Sequence, residues 1–366
     1  MLIKPIGKSP SSMSRLTISA QQLEPGQGGI GRVARLSVKA LQHHDKLRAL
    51  AVEDRRRHSI GSVQIVPFAG RRLRFFLANS CEILSGRKML YDFAGTARAH
   101  RPVYKHLSSY AVWIHGYELW NRPVRSDYMA AVRGADLILA NSDYTLARAE
   151  EVIGGLPQAQ VCWLGTEQEK EAVTAPLQER APVLLFLGRS DDLFAKGQDI
   201  LIDTWPDVIS KVPAAKLIFA GGGSHLPKLV EMARASPAAA HIEILGFVSD
   251  EEMEAVWARA TAFAMLSRVE GFGLVFAEAM RQGVPVLASI EDASPEVNLD
   301  GMTGFNVSRS DRDGIIDRIV NLMKDRELAS ALGAAGLERW RKNFRFSRFQ
   351  QRLDRLVHPW LAANQA

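Results

Sequence analysis

Short apolar runs alternate along the chain with longer segments whose apolar residues recur at helical spacing. The strand candidates of the first half are Leu16–Ala20, Leu47–Val52, Arg74–Ala78, Lys88–Phe93, Tyr110–His115, Leu137–Asn141 and Val161–Leu164. Helical segments lie between most of them, and the longest clear one is Gly31–His43, where Val33 and Leu36 begin an approximate helical period. This alternation predicts a parallel sheet covered by helices, which is an α/β architecture.

A second α/β series follows an interval that is charged, contains proline and lacks a periodic pattern. Its strand candidates are Val183–Gly188, Lys216–Ala220, Ile242–Leu245, Ala262–Leu266 and Val284–Ala288. Helical candidates fill the gaps, and the chain from Asp311 onward is almost wholly helical by pattern. The sequence therefore predicts two doubly wound domains that face each other across a cleft, with ligands beyond the carboxyl ends of the strands.

The length of 366 residues accommodates two ordinary domains. The predicted division is a flexible leader at 1–14, an N-terminal domain at 15–170, a linker at 171–181, a C-terminal domain at 182–345 and a last helix at 346–366. The leader is polar and lacks the apolar stretch of a signal peptide. No run approaches the ~18 apolar residues that a membrane span needs.

The composition indicates the class of protein and its redox compartment. Apolar residues make up 47% of the chain and charged residues 23%, which is an ordinary globular balance. Cys81 and Cys162 are the two cysteines, too few for a disulfide framework, so a reducing cytoplasm fits best.

The net charge is +6, and the cations cluster in the first third of the chain. They are Arg55, Arg56, Arg57, Arg71, Arg72, Arg74, Arg98 and Arg101. Such a cluster indicates either a solvated face or a weak dock for an anionic membrane or a phosphorylated acceptor. Nucleic acid is disfavoured because the cations are not interleaved with aromatic residues.

The run Gly26-Gln-Gly-Gly-Ile-Gly31 matches the G-x-G-x-x-G pattern of dinucleotide-binding folds. It follows a strand and opens a helix, and Glu53 and Asp54 end the next strand where such folds place an acid. In that fingerprint the first glycine directly follows the strand, whereas the segment 21–25 intervenes here. The spacing therefore argues against a dinucleotide site, and a plain structural turn is an alternative explanation of these glycines.

Charged residues recur at the ends of predicted strands in the second half. Arg189 ends one strand and Lys196 precedes a helix, so two cations on adjacent turns could hold both phosphates of a nucleotide-sugar. Glu270 and Glu278 flank a Gly-Phe-Gly turn that opens an amphipathic helix, and such a turn can present backbone N–H groups to a phosphorylated ligand. A glycosidase pair is the alternative for two carboxylates, and the helical position of Glu278 argues against it.

Metal sites are not predicted. Asp311-Arg-Asp313 spells D-x-D, but it opens a helix and is better explained as an N-cap with acids in the first turn. No group of histidines and cysteines has the spacing of metal ligands.

The stretch 268–288 resembles the E-x7-E motif of retaining glycosyltransferases of family 4, the "glycosyl transferases group 1", which have the GT-B fold. Gly188-Arg189 with Lys196-Gly197, His115-Gly116 and the Gly-Gly-Ile loop at 28–30 are similar to further motifs of that family. The resemblance implies two Rossmann-like domains and a C-terminal helix that crosses back to the N-terminal domain. It covers nearly the whole chain and is strongest in 183–307.

The resemblance also implies roles for residues. The implied catalytic residues are His115, Arg189, Lys196 and Glu270. The implied donor-binding residues are Gly28, Gly29, Gly222, Val248, Gly271, Phe272, Gly273, Leu274 and Glu278, and no metal ligand is implied. Glu278 would bind the ribose hydroxyls, and the backbone near Val248 would bind the nucleobase.

The expected activity is transfer of a hexose, with retention, from a nucleoside diphosphate sugar to an acceptor hydroxyl. UDP-sugars and GDP-mannose are comparable donors, no cofactor or metal is expected, and the acceptor would be a saccharide or a lipid-linked saccharide in bacterial polysaccharide or glycolipid assembly. The enzyme would be cytoplasmic, with peripheral contact to the inner membrane as a further expectation. An NAD-dependent oxidoreductase and a non-catalytic nucleotide-sugar-binding protein remain the alternatives.

Overall fold

The computed structural model describes residues 15–26, 28–104, 106–120, 123–172 and 175–363. These residues form two compact units. The first unit comprises the chain up to Asn141, Arg148–Cys162 and the segment from Gln350 onward, and the second comprises Ser142–Ala147 and Trp163–Phe349. The predicted leader at 1–14 lies outside the described residues.

The first unit is built on a sheet that is mostly parallel. Its described strands are β1 (Leu16–Ala20), β2 (Arg48–Ala51), β3 (His58–Ile60), β4 (Val63–Pro67), β5 (Lys88–Tyr91), β6 (Tyr110–Ile114), β7 (Leu137–Ala140) and β8 (Ala159–Val161). They lie in the order β3-β4-β2-β1-β5-β6-β7-β8. Within this described sheet, β3 pairs antiparallel with β4 and the other neighbours are parallel.

The second unit has a sheet whose described strand pairs are all parallel. Its strands are β9 (Val183–Leu187), β10 (Lys216–Ala220), β11 (Ile242–Gly246), β12 (Ala262–Met265), β13 (Val286–Ser289) and β14 (Gly304–Val307). They lie in the order β11-β10-β9-β12-β13-β14. The order reverses direction at β9, between β10 and β12, as it does at β1 in the first sheet.

Helices lie between the strands of both units and after the last strand, β14. They are α1 (Gly29–Leu41), α2 (Arg72–Leu84), α3 (Ala94–Ala97), α4 (Tyr117–Trp120), α5 (Ser126–Arg133), α6 (Asp143–Ile153), α7 (Leu193–Lys196), α8 (Gln198–Lys211), α9 (Leu226–Ala235), α10 (Asp250–Arg259), α11 (Leu274–Arg281), α12 (Ser294–Val297), α13 (Arg312–Lys324), α14 (Arg326–Asn343) and α15 (Phe346–Ala362). Among the described residues, no helix combines the length and apolar character that crossing a bilayer requires.

The α/β prediction is confirmed, and most predicted strands lie within one or two residues of the observed ones. The prediction of a strand at Arg74–Ala78 is wrong, because these residues belong to α2. Phe75, Asn79 and Ile83 are buried at a spacing of four, which places them on one face of a helix. Strands β3, β4 and β14 were not among the predicted strands.

Local sequence signals account for several helix starts. The Ser249 side chain accepts the N–H of Glu252, whose carboxylate accepts the Ser249 N–H, which forms a capping box for α10. Asp311 accepts the N–H of Gly314 at 3.0 Å. The prediction that the D-x-D sequence forms an N-cap is therefore confirmed.

The end of α15 packs in the first unit, which confirms the predicted return of the last helix. Leu353, Val357 and Leu361 are buried there. The buried ammonium of Lys88 donates to the carbonyl oxygens of Trp360 at 2.5 Å and Ala363 at 2.7 Å. A cation at these last carbonyls satisfies acceptors that a helix end leaves without intrahelical partners.

Candidate functional site

The predicted residues of the second unit lie at the carboxyl edge of one parallel sheet. Val248 follows β11, Gly222 follows β10, Arg189 follows β9 and Glu270 follows β12. These four strands are consecutive neighbours in the sheet. Ligands of doubly wound sheets bind at this edge, where the strand order reverses, and β9 is the strand at which it reverses here.

Lys196 and Glu270 meet at that point of reversal. Nζ of Lys196 donates to Oε1 of Glu270 at 2.8 Å, and the two side chains are 29% and 18% exposed. The carboxylate of Glu270 raises the pKa of Lys196, while burial opposes the shift. The residues are 74 positions apart in the chain, so the fold brings together a cation and a carboxylate that the sequence had suggested separately.

Gly197 makes this approach possible. It has φ +84°, and a Cβ at this position would lie 2.6 Å from the carbonyl oxygen of Leu266. A larger residue would push α7 away from the end of β12. The close contact therefore keeps Lys196 beside the segment that carries Glu270.

Asp292 positions the segment of Glu270, and sequence reasoning did not identify it. Its Oδ2 accepts the Glu270 N–H at 2.9 Å, and the Glu270 carbonyl accepts the Ala293 N–H at 3.1 Å. Burial raises the pKa of Asp292 to about 6, a hydrogen bond from Ser294 opposes the shift, and the charge of Glu270 adds to it. The sequence signal that could have identified Asp292 is its position as an acid in a serine-containing turn after a strand.

The turn after Glu270 leads into α11. Gly273 has φ +81° and precedes the first helical residue, Leu274, and the first turn of α11 holds no acidic residue. The carbonyl of Gly271 accepts hydroxyl groups from Ser142 at 2.6 Å and Thr145 at 3.1 Å. A fixed turn at the positive end of a helix dipole suits a phosphate or another anion.

Two further residues belong to this turn and helix. Phe272 is buried, with its ring edge-on to Phe344 at a centroid distance of 5.9 Å. The side chain of Phe272 is therefore a packing group that anchors the turn. Glu278 is half-buried on α11, one turn after Leu274.

The glycine turn after β10 packs on the Arg189 turn. A Cβ on Gly221 would lie 2.1 Å from the Gly188 carbonyl oxygen, and the Ser190 N–H donates to the Gly222 carbonyl at 2.9 Å. A Cβ on Gly222 would lie 3.5 Å from Phe247, the residue before Val248. The turns after β9, β10 and β11 are thus in contact.

Arg189 is exposed and paired within its own turn. Its Nε donates to Asp191 Oδ2 at 2.6 Å, and this guanidinium lowers the pKa of Asp191 to about 2. Asp191 also accepts the Ser224 N–H at 2.9 Å, which ties the Arg189 turn to the glycine turn. An anion that binds Arg189 therefore competes with Asp191.

In the first unit, His115 follows β6 and is buried. Its Nε2 donates to the carbonyl oxygen of Asp92 at 2.7 Å, and its ring is nearly parallel to that of Trp113. The position of His115 at the end of an apolar strand predicts a ring that points outward, and the burial of the side chain contradicts this prediction. Glu118 accepts the His115 N–H at 2.7 Å, so it caps this turn.

Gly28 and Gly29 lie at the start of α1, after the strand at which the first sheet reverses its order. Gly28 has φ +40°, both residues are exposed, and a Cβ on either would meet no atom within 4 Å. Gln27 lies outside the described residues. The loop is therefore open enough for a ligand to approach its backbone.

Comparison with known proteins supports one family. The family described as "Glycosyl transferases group 1" matches residues 167–339. A protein of Mycobacterium tuberculosis (strain CDC 1551 / Oshkosh), named GDP-mannose-dependent alpha-(1-6)-phosphatidylinositol monomannoside mannosyltransferase, is 32% identical over 243 residues, which are 61% of this chain and 63% of that protein. A protein of the same name from Mycolicibacterium smegmatis is 32% identical over 263 residues, which are 66% of this chain and 68% of that protein. The chain thus spans less than two thirds of the length of the M. tuberculosis relative.

A solved structure shows the same fold. The sucrose-phosphate synthase of Thermosynechococcus elongatus is similar with a TM-score of 0.80, over 96% of this chain and 100% of that one. The sequence identity is 18%, so the likeness concerns the fold alone. It agrees with the two α/β units described above.

Proposed function

Because this chain belongs to the group 1 glycosyl transferases of GT-B fold, we propose that it transfers a hexose from a nucleoside diphosphate sugar to an acceptor hydroxyl. The observation that carries the proposal is the Lys196–Glu270 pair at the reversal point of the second sheet. Transfer proceeds with retention at the anomeric carbon and without a catalytic metal. The enzyme works in the cytoplasm, at the membrane face.

Lys196 and Arg189 bind the diphosphate of the donor. A departing nucleoside diphosphate gains negative charge, and cations that already lie beside it lower the energy of the transition state. The N-terminus of α11, at Gly273 and Leu274, stabilises the same negative charge through the helix dipole. In the free protein, Asp191 accepts a hydrogen bond from Arg189 and Glu270 accepts one from Lys196. Donor binding replaces these carboxylates with phosphate oxygens.

The hydroxyl groups of the transferred sugar bind to Glu270 and to the backbone from Gly271 to Leu274. Glu278 binds the ribose, and the turns at Gly222 and Val248 flank the base. His115, Gly28 and Gly29 are the proposed functional residues of the first unit. The acceptor hydroxyl attacks on the face from which the diphosphate leaves, which gives retention without a covalent intermediate on the enzyme.

We propose GDP-mannose as the donor and a saccharide or phosphoinositol-linked glycolipid as the acceptor. The support is the activity for which the relatives from Mycobacterium tuberculosis and Mycolicibacterium smegmatis are named. Isothermal titration with GDP-mannose, UDP-glucose and UDP-N-acetylglucosamine tests the choice. Tighter binding of a UDP-sugar would overturn the GDP-mannose assignment and leave the transferase proposal standing.

The role of Lys196 is tested by Lys196→Met, with transfer to a glycolipid acceptor followed by mass spectrometry. Loss of an electrostatic stabiliser at a reacting group lowers kcat by about 10²–10³-fold. Lys211→Met is the matched control, because it removes an exposed lysine that pairs with Asp317 at 3.0 Å in the same unit. A turnover of Lys196→Met near that of Lys211→Met would remove Lys196 from the reaction.

The role of Glu278 is tested by Glu278→Ala in the same titration. One hydrogen bond to a carboxylate is worth about 1.5–3 kcal/mol, so the dissociation constant of GDP-mannose should rise about 10–100-fold. Glu251→Ala, at an exposed position on α10, should leave the constant unchanged. Unchanged donor affinity in Glu278→Ala would refute the ribose contact.

Stereochemistry and metal use are tested on the product. The anomeric coupling of the transferred sugar in an NMR spectrum should match that of the donor, and the rate should persist in excess chelator. Inversion, or a rate that only magnesium or manganese restores, would contradict this part of the proposal. Donor binding with neither transfer nor slow hydrolysis would instead support a non-catalytic sugar-nucleotide-binding protein.

Membrane contact is proposed for α2. Leu73, Leu77 and Leu84 are 74%, 58% and 65% exposed, and their spacing places them on one face of the helix. Arg71 and Arg74 are exposed at its first turn, which suits an anionic lipid surface.

Flotation with phosphatidylglycerol vesicles tests this contact. Leu73→Ser combined with Leu77→Ser should reduce the bound fraction, and wild-type binding should fall when phosphatidylcholine replaces the anionic lipid. Met302→Ser is the control, because Met302 is a 62% exposed apolar residue in the second unit. Equal binding of the double variant and the control would rule out α2 as the contact.

A further inference from the structure

A cluster of metal-ligating side chains lies in the first unit, between the end of α1 and α15. His43 and His44 follow α1, and Asp354 lies on α15. Both histidine Nε2 atoms face the same carboxylate oxygen, with Oδ1 of Asp354 at 3.4 Å from His43 and 3.5 Å from His44. One potential ligand atom from each residue lies within 4.8 Å of the other two.

These contacts are too long for hydrogen bonds. An N–H···O bond spans about 2.7–3.2 Å between heavy atoms. His44 is 9% exposed, and its Nε2 and Asp354 Oδ1 are both buried without a hydrogen-bond partner. Buried polar atoms are normally satisfied, so this pair of atoms points to a ligand between them.

The separations fit a tetrahedral metal ion. Zinc bonds to histidine nitrogen and carboxylate oxygen are about 2.0–2.2 Å long, so two ligand atoms at a tetrahedral angle lie about 3.3–3.5 Å apart. The observed nitrogen–oxygen separations fall in this range. Two imidazoles and a carboxylate are also the donor atoms that zinc accepts readily.

We infer that His43, His44 and Asp354 form a zinc-binding site. His358 lines the same surface cavity and lies one turn after Asp354 on α15, so it or a water molecule completes the coordination. Burial lowers the pKa of His44, and the neutral ring that results is the form that binds a metal. Arg355 also lines the cavity and is a cation that the site must tolerate.

The site would act on stability and would not take part in sugar transfer. It joins the end of α1 to α15, whereas Gly28 and Gly29 lie at the other end of α1. The 13 residues of α1 separate the two ends by roughly 20 Å. A metal bound here would therefore hold the returning helix against the first unit.

The test uses untagged, chelator-treated full-length protein and zinc alone. Calorimetry should show one high-affinity zinc per chain and a melting temperature that rises with zinc. Asp354→Asn and His43→Ala should each weaken zinc binding at least about ten-fold. His43 is half-exposed, so His43→Ala provides a result even if the Asp354 variant folds poorly.

His58→Ala is the matched control. His58 pairs with Asp54 at 2.8 Å, which is a hydrogen-bonded histidine–aspartate pair without a second histidine. The zinc affinity of the His58→Ala variant should equal that of the wild type. Cobalt in place of zinc should give the visible d–d bands of a tetrahedral site, and His43→Ala should abolish them. A wild-type protein that binds no stoichiometric zinc, or binds it as tightly after His43→Ala, would overturn the inference.

Discussion

Replacing Asp92 with asparagine tests whether a carboxyl group at the end of β5 is protonated in the folded protein. Asp92 is 2% exposed, and burial raises its pKa to about 7. Hydrogen bonds from the Thr96 hydroxyl at 2.6 Å and the Gln21 N–H at 2.7 Å oppose the shift but are outweighed. The carbonyl of the same residue holds His115 Nε2, so the group lies beside a predicted catalytic residue.

The magnitude follows from the two pKa values of Asp92. An unfolded aspartate releases its proton near pH 3.9. The folded pKa is higher, so the folded chain keeps a proton that the unfolded chain has lost, and the free energy of unfolding falls as the pH rises from about 4 to about 7. At about 1.4 kcal/mol per pKa unit, a difference of roughly three units sets a ceiling of about 4 kcal/mol for this loss.

The Asp92→Asn variant cannot ionise and should lack this loss. At pH 5 it should be less stable than the wild type by about 1 kcal/mol, because an amide cannot accept both hydrogen bonds. By pH 8 the difference should vanish or reverse. Urea unfolding at pH 5 to 8, monitored by hydrogen exchange of β5 peptides, measures how the stability of the first unit depends on pH in the wild type and in the variant.

An infrared spectrum gives an independent readout. At pH 5 the C=O stretch of a buried protonated carboxyl should be present in the wild type and weaker in Asp92→Asn. Asp317→Asn, at a side chain that is 66% exposed, is the control for a generic loss of charge. Parallel stability profiles of wild type and Asp92→Asn from pH 5 to 8 would refute the reasoning.

Three other substitutions probe packing. Gly304→Ala should cost about 1–3 kcal/mol in urea unfolding, because its Cβ would lie 1.9 Å from the Val286 carbonyl oxygen. Gly155→Ala meets no atom within 4 Å and should change stability by less than about 0.5 kcal/mol, so equal effects at the two sites would contradict the packing argument. Lys88→Met should cost about 1–3 kcal/mol and speed amide exchange in α15, since the Trp360 carbonyl loses a charged donor; unchanged exchange there would show that the contact is dispensable.

Sequence reasoning reached the elements of the second sheet because glycine and charge punctuate the strand ends. Gly188, Gly222 and Gly273 each mark a turn at the carboxyl edge. The same signals in the sequence predict that Arg189 and Glu270 lie at that edge. Periodicity and turn chemistry are local properties, so this part of the fold can be predicted from the sequence.

Contacts between residues that are far apart in the sequence could not be predicted from it. Lys196 and Glu270 are 74 positions apart, and their pairing depends on β9 and β12 being neighbours in the sheet. Asp292 acts on Glu270 only because a third strand end lies beside them. The strand error at Arg74–Ala78 arose because the four apolar and aromatic residues after Arg74 suit either a strand or a helix, whereas the buried face of α2 extends over a longer window.

The contact of Lys88 with the carbonyl oxygens of Trp360 and Ala363 has a consequence for biosynthesis. A ribosome makes the chain from residue 1 onward, so β5 leaves the exit tunnel long before these carbonyls exist. Until then, Lys88 must stay hydrated or find other acceptors. The first unit therefore completes its native structure only after α15 has been made, whereas every residue of the second unit, which ends at Phe349, precedes these carbonyls in the chain.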